Sequence, residues 1–168
     1  APIDEAREAW ALLPALRARR GRILVISSAA GRTGLPYCAA YSASKYALEG
    51  YFEGLSYELR ADGISVCLVE PGTFRTHLEM GEMRIGEQVL TGRNKALNER
   101  ILASVRAQYN ASPLPGPVAR LVVDLAHRSR VPMRVLIGKD AWGLVFLRML
   151  PSRLFHSLFY WGFQKSIG

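Results

Sequence analysis

Apolar and polar positions follow two rhythms along this chain. Near the start, Ala9, Leu12, Leu13 and Leu16 recur at three- and four-residue intervals, the period of a helix with one buried face. The pattern predicts a helix over Asp4–Arg20, with basic residues gathered at its C-terminal end, where they suit the helix dipole, and Gly21 as its stop. RILVIS at Arg22–Ser27 is a short apolar run, the form of a strand buried in a parallel sheet. Ala29–Ala40, with Gly31, Gly34 and Pro36, reads as a loop. Helical spacing returns over Tyr41–Arg60 and ends at Asp62-Gly63. ISVCLV at Ile64–Val69 predicts a second buried strand, closed by Pro71-Gly72. Thr73–Thr91 is irregular, Asn94–Gln108 helical, Pro113–Pro117 a hard break, and Val118–His127 helical again. Arg134–Ile137 before Gly138 predicts a third strand, and Ala141–Phe163 is amphipathic and aromatic, interrupted by Pro151.

Buried strands alternating with helices predict an α/β layer fold with a parallel sheet. Ligands of such sheets sit outside the carboxyl ends of the strands. The loops at Ser27–Tyr41 and Glu70–Thr76 are therefore expected on one edge, close to each other.

Composition narrows the class. A chain of 168 residues, 49% hydrophobic and 21% charged, suits one folded domain, residues 1–168. Cys38 and Cys67 form no CxxC or Cys/His cluster, and His77, His127 and His156 stand apart, so neither a disulfide framework nor a metal site is expected. The N-terminal residues lack the pattern of a secretory leader, and no apolar run reaches the roughly 18 residues that span a bilayer. A cytoplasmic protein is the expectation. The net charge of +8 comes from scattered arginines without interleaved aromatics, which argues against nucleic acid and leaves solubility or a phosphate-bearing ligand.

Candidate chemistry sits in YSASK, residues 41–45. Residues i and i+4 of a helix are neighbours, so Lys45 is expected beside Tyr41. A free phenol, with a pKa near ~10, is a poor base at neutral pH. A nearby ammonium favours the phenolate, and such a tyrosine can exchange a proton with an alcohol or carbonyl oxygen. Ser28, thirteen residues earlier at the end of the first strand, can donate to the same oxygen. Singly, each feature has an ordinary explanation: a solvated helix face, turn chemistry, a strand stop. Their shared place at the carboxyl edge of one sheet is what points to a site.

GRILVISSAAG (21–31), YSASK (41–45) and VEPGTFRT (69–76) together resemble the short-chain dehydrogenase/reductase family, closely over Gly21–Thr76 and more loosely to Gly138. The resemblance implies a partial Rossmann-like, three-layer α/β fold with a parallel sheet. It implies Tyr41 as general acid/base, Ser28 as the substrate-oxygen donor, and Lys45 on the nicotinamide ribose. Pro71 and Gly72 would shape the loop against the nicotinamide, the Thr73 backbone would lie near its carboxamide, and Thr76 would reach toward the cofactor phosphates. The implied reaction is hydride transfer between NADP or NAD and a secondary alcohol or ketone. Phe74–Tyr109 matches a substrate lid. Its Met80, Met83, Ile85, Val89 and Leu90 suggest a hydrophobic substrate.

The family's Gly-rich strand–turn–helix is not found. Gly31-Arg-Thr-Gly34 is nearest and lies between Ser28 and Tyr41. The chain therefore reads as the C-terminal portion of such an enzyme, with the N-terminal dinucleotide-binding half missing, and little activity or dinucleotide binding is expected of it alone. Alternatives are a sugar-nucleotide epimerase or dehydratase with the same Tyr/Lys spacing, and a non-enzymatic scaffold or membrane- or protein-interaction module. The aromatic stretch 141–163, with Arg148, Arg153 and Lys165, reads as an interfacial membrane helix or as a cover over pocket or subunit. The resemblance also implies a homodimer through the helices at Asp4–Arg20 and Tyr41–Arg60.

Overall fold

A computed structural model describes residues 2–76 and 95–167. Helix α1 (Pro2–Arg19) leads to strand β1 (Arg22–Ile26), a 3-10 turn (Ala29–Gly31), helix α2 (Ala39–Glu58) and strand β2 (Ser65–Pro71). Beyond residue 94 come α3 (Lys95–Asn110), α4 (Gly116–His127), β3 (Arg134–Ile137), α5 (Lys139–Arg148) and α6 (Ser152–Ile167). The strands form one parallel sheet in the order β1-β2-β3, with Ile26 opposite Val69 and Leu68 opposite Arg134.

Every strand read from the sequence is present. The boundaries move by a few residues because helix ends are settled by caps rather than by periodicity. Gly21 does follow α1, but the left-handed residue is Arg20, with φ 47°. Gly21 is needed for closeness: a Cβ there would come 2.6 Å from Leu16 Cδ2. The aromatic tail divides at Pro151 into α5 and α6. None of the described helices is long and apolar enough to cross a membrane.

Side chains of a strand alternate between faces, and β2 shows both cores that result. Val66 and Leu68 join Ala9, Leu13, Leu48, Phe52 and Leu55 beneath α1 and α2. Cys67 and Val69 join Leu125 on the opposite face, beneath α4. With helices on both sides, β2 is buried from Val66 to Glu70, as a central parallel strand must be. Strand β1 is an edge among the described residues; it is mostly half-buried, and Ile26 is 45% exposed. The same alternation puts Glu70 on the α2 face, where it is wholly buried.

Candidate active site

Strand β1 ends at Ile26, and the chain turns at Ser28 in extended conformation to cap the 3-10 turn, its Oγ accepting from Ala30 N–H at 3.1 Å. The same hydroxyl lies 3.4 Å from the Pro71 carbonyl, to which it donates, so the ends of β1 and β2 meet here. The turn can press against α2 because residue 31 is glycine. A Cβ there would stand 2.9 Å from Glu49 Cγ, 3.0 Å from the Lys45 carbonyl and 3.1 Å from Ser27 Oγ. The loop into α2 is fastened by Leu35 N–H donating to Ser42 Oγ at 3.1 Å, and by the Tyr37 hydroxyl donating to Asn98 Oδ1 at 2.8 Å. Tyr37 holds a left-handed φ of 62°, a conformation that costs a non-glycine residue on the order of 1–3 kcal/mol.

Tyr41 and Lys45 then stand one turn apart on α2. The Lys45 ammonium is 5.8 Å from the centre of the Tyr41 ring and donates to the Ile26 carbonyl at 3.0 Å. A continuous path thus runs from Tyr41 through Lys45 and the end of β1 to Ser28 and Pro71. Burial lowers the Lys45 pKa, against the opposing charges of Glu5 and Glu49.

The remaining expected residues occupy the next stretch. Gly72 N–H donates to the Ile137 carbonyl at 2.8 Å, and Thr73 N–H donates to Asp140 Oδ2 at 2.6 Å. A Cβ on Gly72 would collide with the Asp140 carboxyl. Thr76 turns to α3: its N–H donates to the Tyr109 hydroxyl at 2.8 Å, and that hydroxyl donates to the Thr76 carbonyl at 2.8 Å. Lys45 is therefore brought to Tyr41 and to the end of β1, and Ser28 to Pro71, while Thr73 and Thr76 engage protein partners. A recess lined by Arg75, Thr76, Leu114 and Pro115 adjoins Thr76. Of the expected lid, Phe74–Thr76 and residues 95–109 are described. His77 and the apolar positions Met80, Met83, Ile85, Val89 and Leu90 lie outside the described residues.

Sequence reading missed Asp140, Tyr109 and a partly buried ionic cluster. Arg134 reaches Glu49 at 3.0 Å, Glu53 at 2.9 Å and Glu70 at 3.2 Å, and Arg32 reaches Glu70 at 3.1 Å. Glu49 and Glu53 continue the four-residue spacing of Tyr41 and Lys45, a signal that was legible. No group of His, Cys, Asp and Glu among the described residues could hold a metal ion.

A parallel sheet with helices on both faces is a Rossmann-type arrangement, and Ser28, Tyr41 and Lys45 lie on the turn and the helix that follow β1. The family model described as short chain dehydrogenase matches residues 7–84. Among curated relatives, 3-ketodihydrosphingosine reductase of Bacteroides thetaiotaomicron is 38% identical over 132 residues, covering 76% of this chain and 48% of the relative. Retinol dehydrogenase 8 of Bos taurus is 34% identical over 134 residues, covering 74% and 42%. A crystal structure of a short-chain dehydrogenase from Streptomyces avermitilis superposes with a TM-score of 0.67 at 31% identity, covering 94% of this chain and 56% of that one. The chain belongs to the short-chain dehydrogenase/reductase family. It spans about half the length of the curated relatives it matches.

Proposed function

We propose that this chain carries the proton-transfer site of an NADP- or NAD-dependent oxidoreductase that interconverts a secondary alcohol and a ketone. The observation that carries the reading is the Lys45 ammonium, 5.8 Å from the Tyr41 ring and tied to the end of β1 two residues before Ser28. In the oxidation direction, the substrate hydroxyl gives its proton to Tyr41 Oη while Ser28 Oγ, turned from the Pro71 carbonyl, donates its one hydrogen bond to the same oxygen. In reduction, Tyr41 returns that proton to the developing alkoxide.

The donor set fits a nicotinamide ribose. One of the three Lys45 protons is spent on Ile26, which leaves two for ribose hydroxyls. NAD(P), when bound, supplies the hydride chemistry. Pro71 and Gly72 would line the nicotinamide side of the cleft. The Thr73 amide would have to exchange its bond with Asp140 to reach a carboxamide, and Thr76 would turn from Tyr109 to reach a phosphate.

Two relatives are named for 3-ketodihydrosphingosine and for retinol, each with a long hydrocarbon portion. Their names support a hydrophobic substrate here. Exposed Trp10, Leu12, Tyr46 and Tyr57 on α1 and α2 support a homodimer through those helices. Trp142 and Phe146 on α5 with Met149 at its C-cap, and Leu154, Leu158 and Trp161 on α6, are exposed at intervals of four and three residues beside Arg148, Arg153 and Lys165. Such stripes support peripheral contact with an anionic bilayer from a cytoplasmic location.

The test is Tyr41→Phe in the natural polypeptide that contains this chain. Turnover is expected to fall by roughly 10²–10⁴-fold, with cofactor-induced fluorescence changes retained. Undiminished turnover defeats the assignment.

A further inference from the structure

Tyr41, Lys45, Glu49 and Glu53 occupy every fourth position of α2, a single ridge along the helix. The first two belong to the site proposed above. The last two are held by Arg134, the first residue of β3. Its Nε donates to Glu49 Oε2 at 3.0 Å, and its terminal nitrogens reach both Glu53 oxygens, at 3.3 and 2.9 Å. The Nε also lies 3.2 Å from Glu70 Oε1 on β2, an oxygen that takes a further contact from Arg32 at 3.1 Å.

These contacts join the parts that must be in register for proton transfer. Glu70 immediately precedes Pro71, whose carbonyl meets Ser28 Oγ. Arg32 caps the turn that Ser28 opens. Glu49 stands one turn below Lys45, against Gly31. One guanidinium therefore grips the helix that carries the phenol and the strand whose end holds the serine. The grip is costly to maintain. Glu49 and Glu70 are nearly or wholly buried, and among the described residues Glu49 Oε1 and Glu70 Oε2 find no hydrogen-bond partner. Well-packed apolar residues often replace such a cluster without loss of stability. A merely stabilising role accounts poorly for it.

We infer that Arg134 is a positioning residue, which fixes the Tyr41 phenol relative to the Ser28 hydroxyl by clamping Glu49 and Glu53 of α2 to Glu70 of β2. The inference rests on the oxidoreductase reading. A displacement of the reacting groups by about 1 Å can cost on the order of 10²-fold in rate. Lysine keeps the charge but not the planar fork, so it cannot hold three carboxylates in one geometry.

The experiment compares Arg134→Lys, Glu53→Gln and Tyr41→Phe in the natural polypeptide, each checked for a cooperative melt. The expected result for Arg134→Lys is a fall in kcat of roughly ten- to a hundredfold, with KM for alcohol and cofactor within about twofold. Glu53→Gln removes one arm from the half-exposed side and should lower kcat in the same sense but less; it also keeps the question decidable if Arg134→Lys does not fold. Unchanged kcat in the folded variants, or a rise in KM with kcat steady, overturns the positioning role while loss of turnover in Tyr41→Phe leaves the oxidoreductase reading standing. Full turnover in Tyr41→Phe overturns both.

Discussion

Asp140, in the first turn of α5, accepts the Thr73 N–H at 2.6 Å and so ties the loop after β2 to the helix after β3. Gly72 makes this possible, since a Cβ there would occupy the space of the Asp140 carboxyl. Gly72→Ala is expected to push Asp140 aside and free the Thr73 amide. Overpacking of this kind costs about 1–3 kcal/mol, or a melting temperature lower by roughly 2–12 °C at this chain length. Asp140→Ala should absorb part of that cost, so the double variant should melt above the sum of the two single losses. Strict additivity in thermal melts would show that the two residues do not compete for this space.

Burial of the Lys45 ammonium opposes folding. Burial lowers its pKa below the usual 10.5, with Glu5 and Glu49 pulling the other way. Between the lowered value and 10.5 the unfolded chain holds more protons than the folded one, so stability rises with pH across that interval. Lys45→Met is expected to remove this rise, to melt near or above the parent at neutral pH, and to lose turnover. Urea titrations at pH 8 and pH 10 read the slope. An unchanged slope in Lys45→Met would assign the pH dependence to another group.

Glu70 has the opposite sign. Burial, and then the charge of Glu49, raise its carboxyl pKa above 4.5, against the pull of Arg32 and Arg134. The folded state keeps this proton where the unfolded chain has lost it. Its contribution to stability is full below 4.5 and is lost as pH rises through the folded value. Relative to the parent, Glu70→Gln should therefore gain stability as pH climbs through that interval and show a flat difference below it. Denaturant midpoints at half-unit steps from pH 4 to pH 7 measure the difference; one that falls with pH contradicts the raised value.

The two thiols should separate in reactivity. Cys67 is wholly buried in β2, and desolvation with the charge of Glu70 pushes its pKa up to about 11. Cys38 is half-buried before α2, and its thiol is also raised by burial. A disulfide reagent at pH 8 is expected to modify one thiol per chain in the native state, at Cys38, and the second only on unfolding. Native labelling at Cys67, located by peptide mapping, would mean that β2 opens.

Much of the architecture was legible because it is local. RILVIS and ISVCLV are too apolar and too short for anything but buried strands, and the i, i+4 relation of Tyr41 to Lys45 holds in any helix. Ser28 was legible as a strand-end hydroxyl because the carboxyl edge of a parallel sheet is where strands and their loops converge. Glu70 was not. Placed between Val69 and Pro71, it looks like the polar end of a strand, yet it is wholly buried because Arg32 and Arg134 arrive beside it from 38 and 64 residues away. Thr76 and Tyr109, 33 residues apart, likewise carry no sign of each other in the sequence.

By itself, then, the amino-acid order determined which segments are helices and strands, their parallel arrangement, and the pairing of a phenol with an ammonium on one helix turn. These follow from periodicity and from the burial of apolar residues, which act over a few positions. Only the tertiary structure decided that Arg134 spans α2 and β2, that Asp140 takes the Thr73 amide, and that Gly31 must be bare. Those relations depend on the register that sets Leu68 opposite Arg134 and on how closely helix and turn approach, and both are settled by packing between segments far apart in the chain.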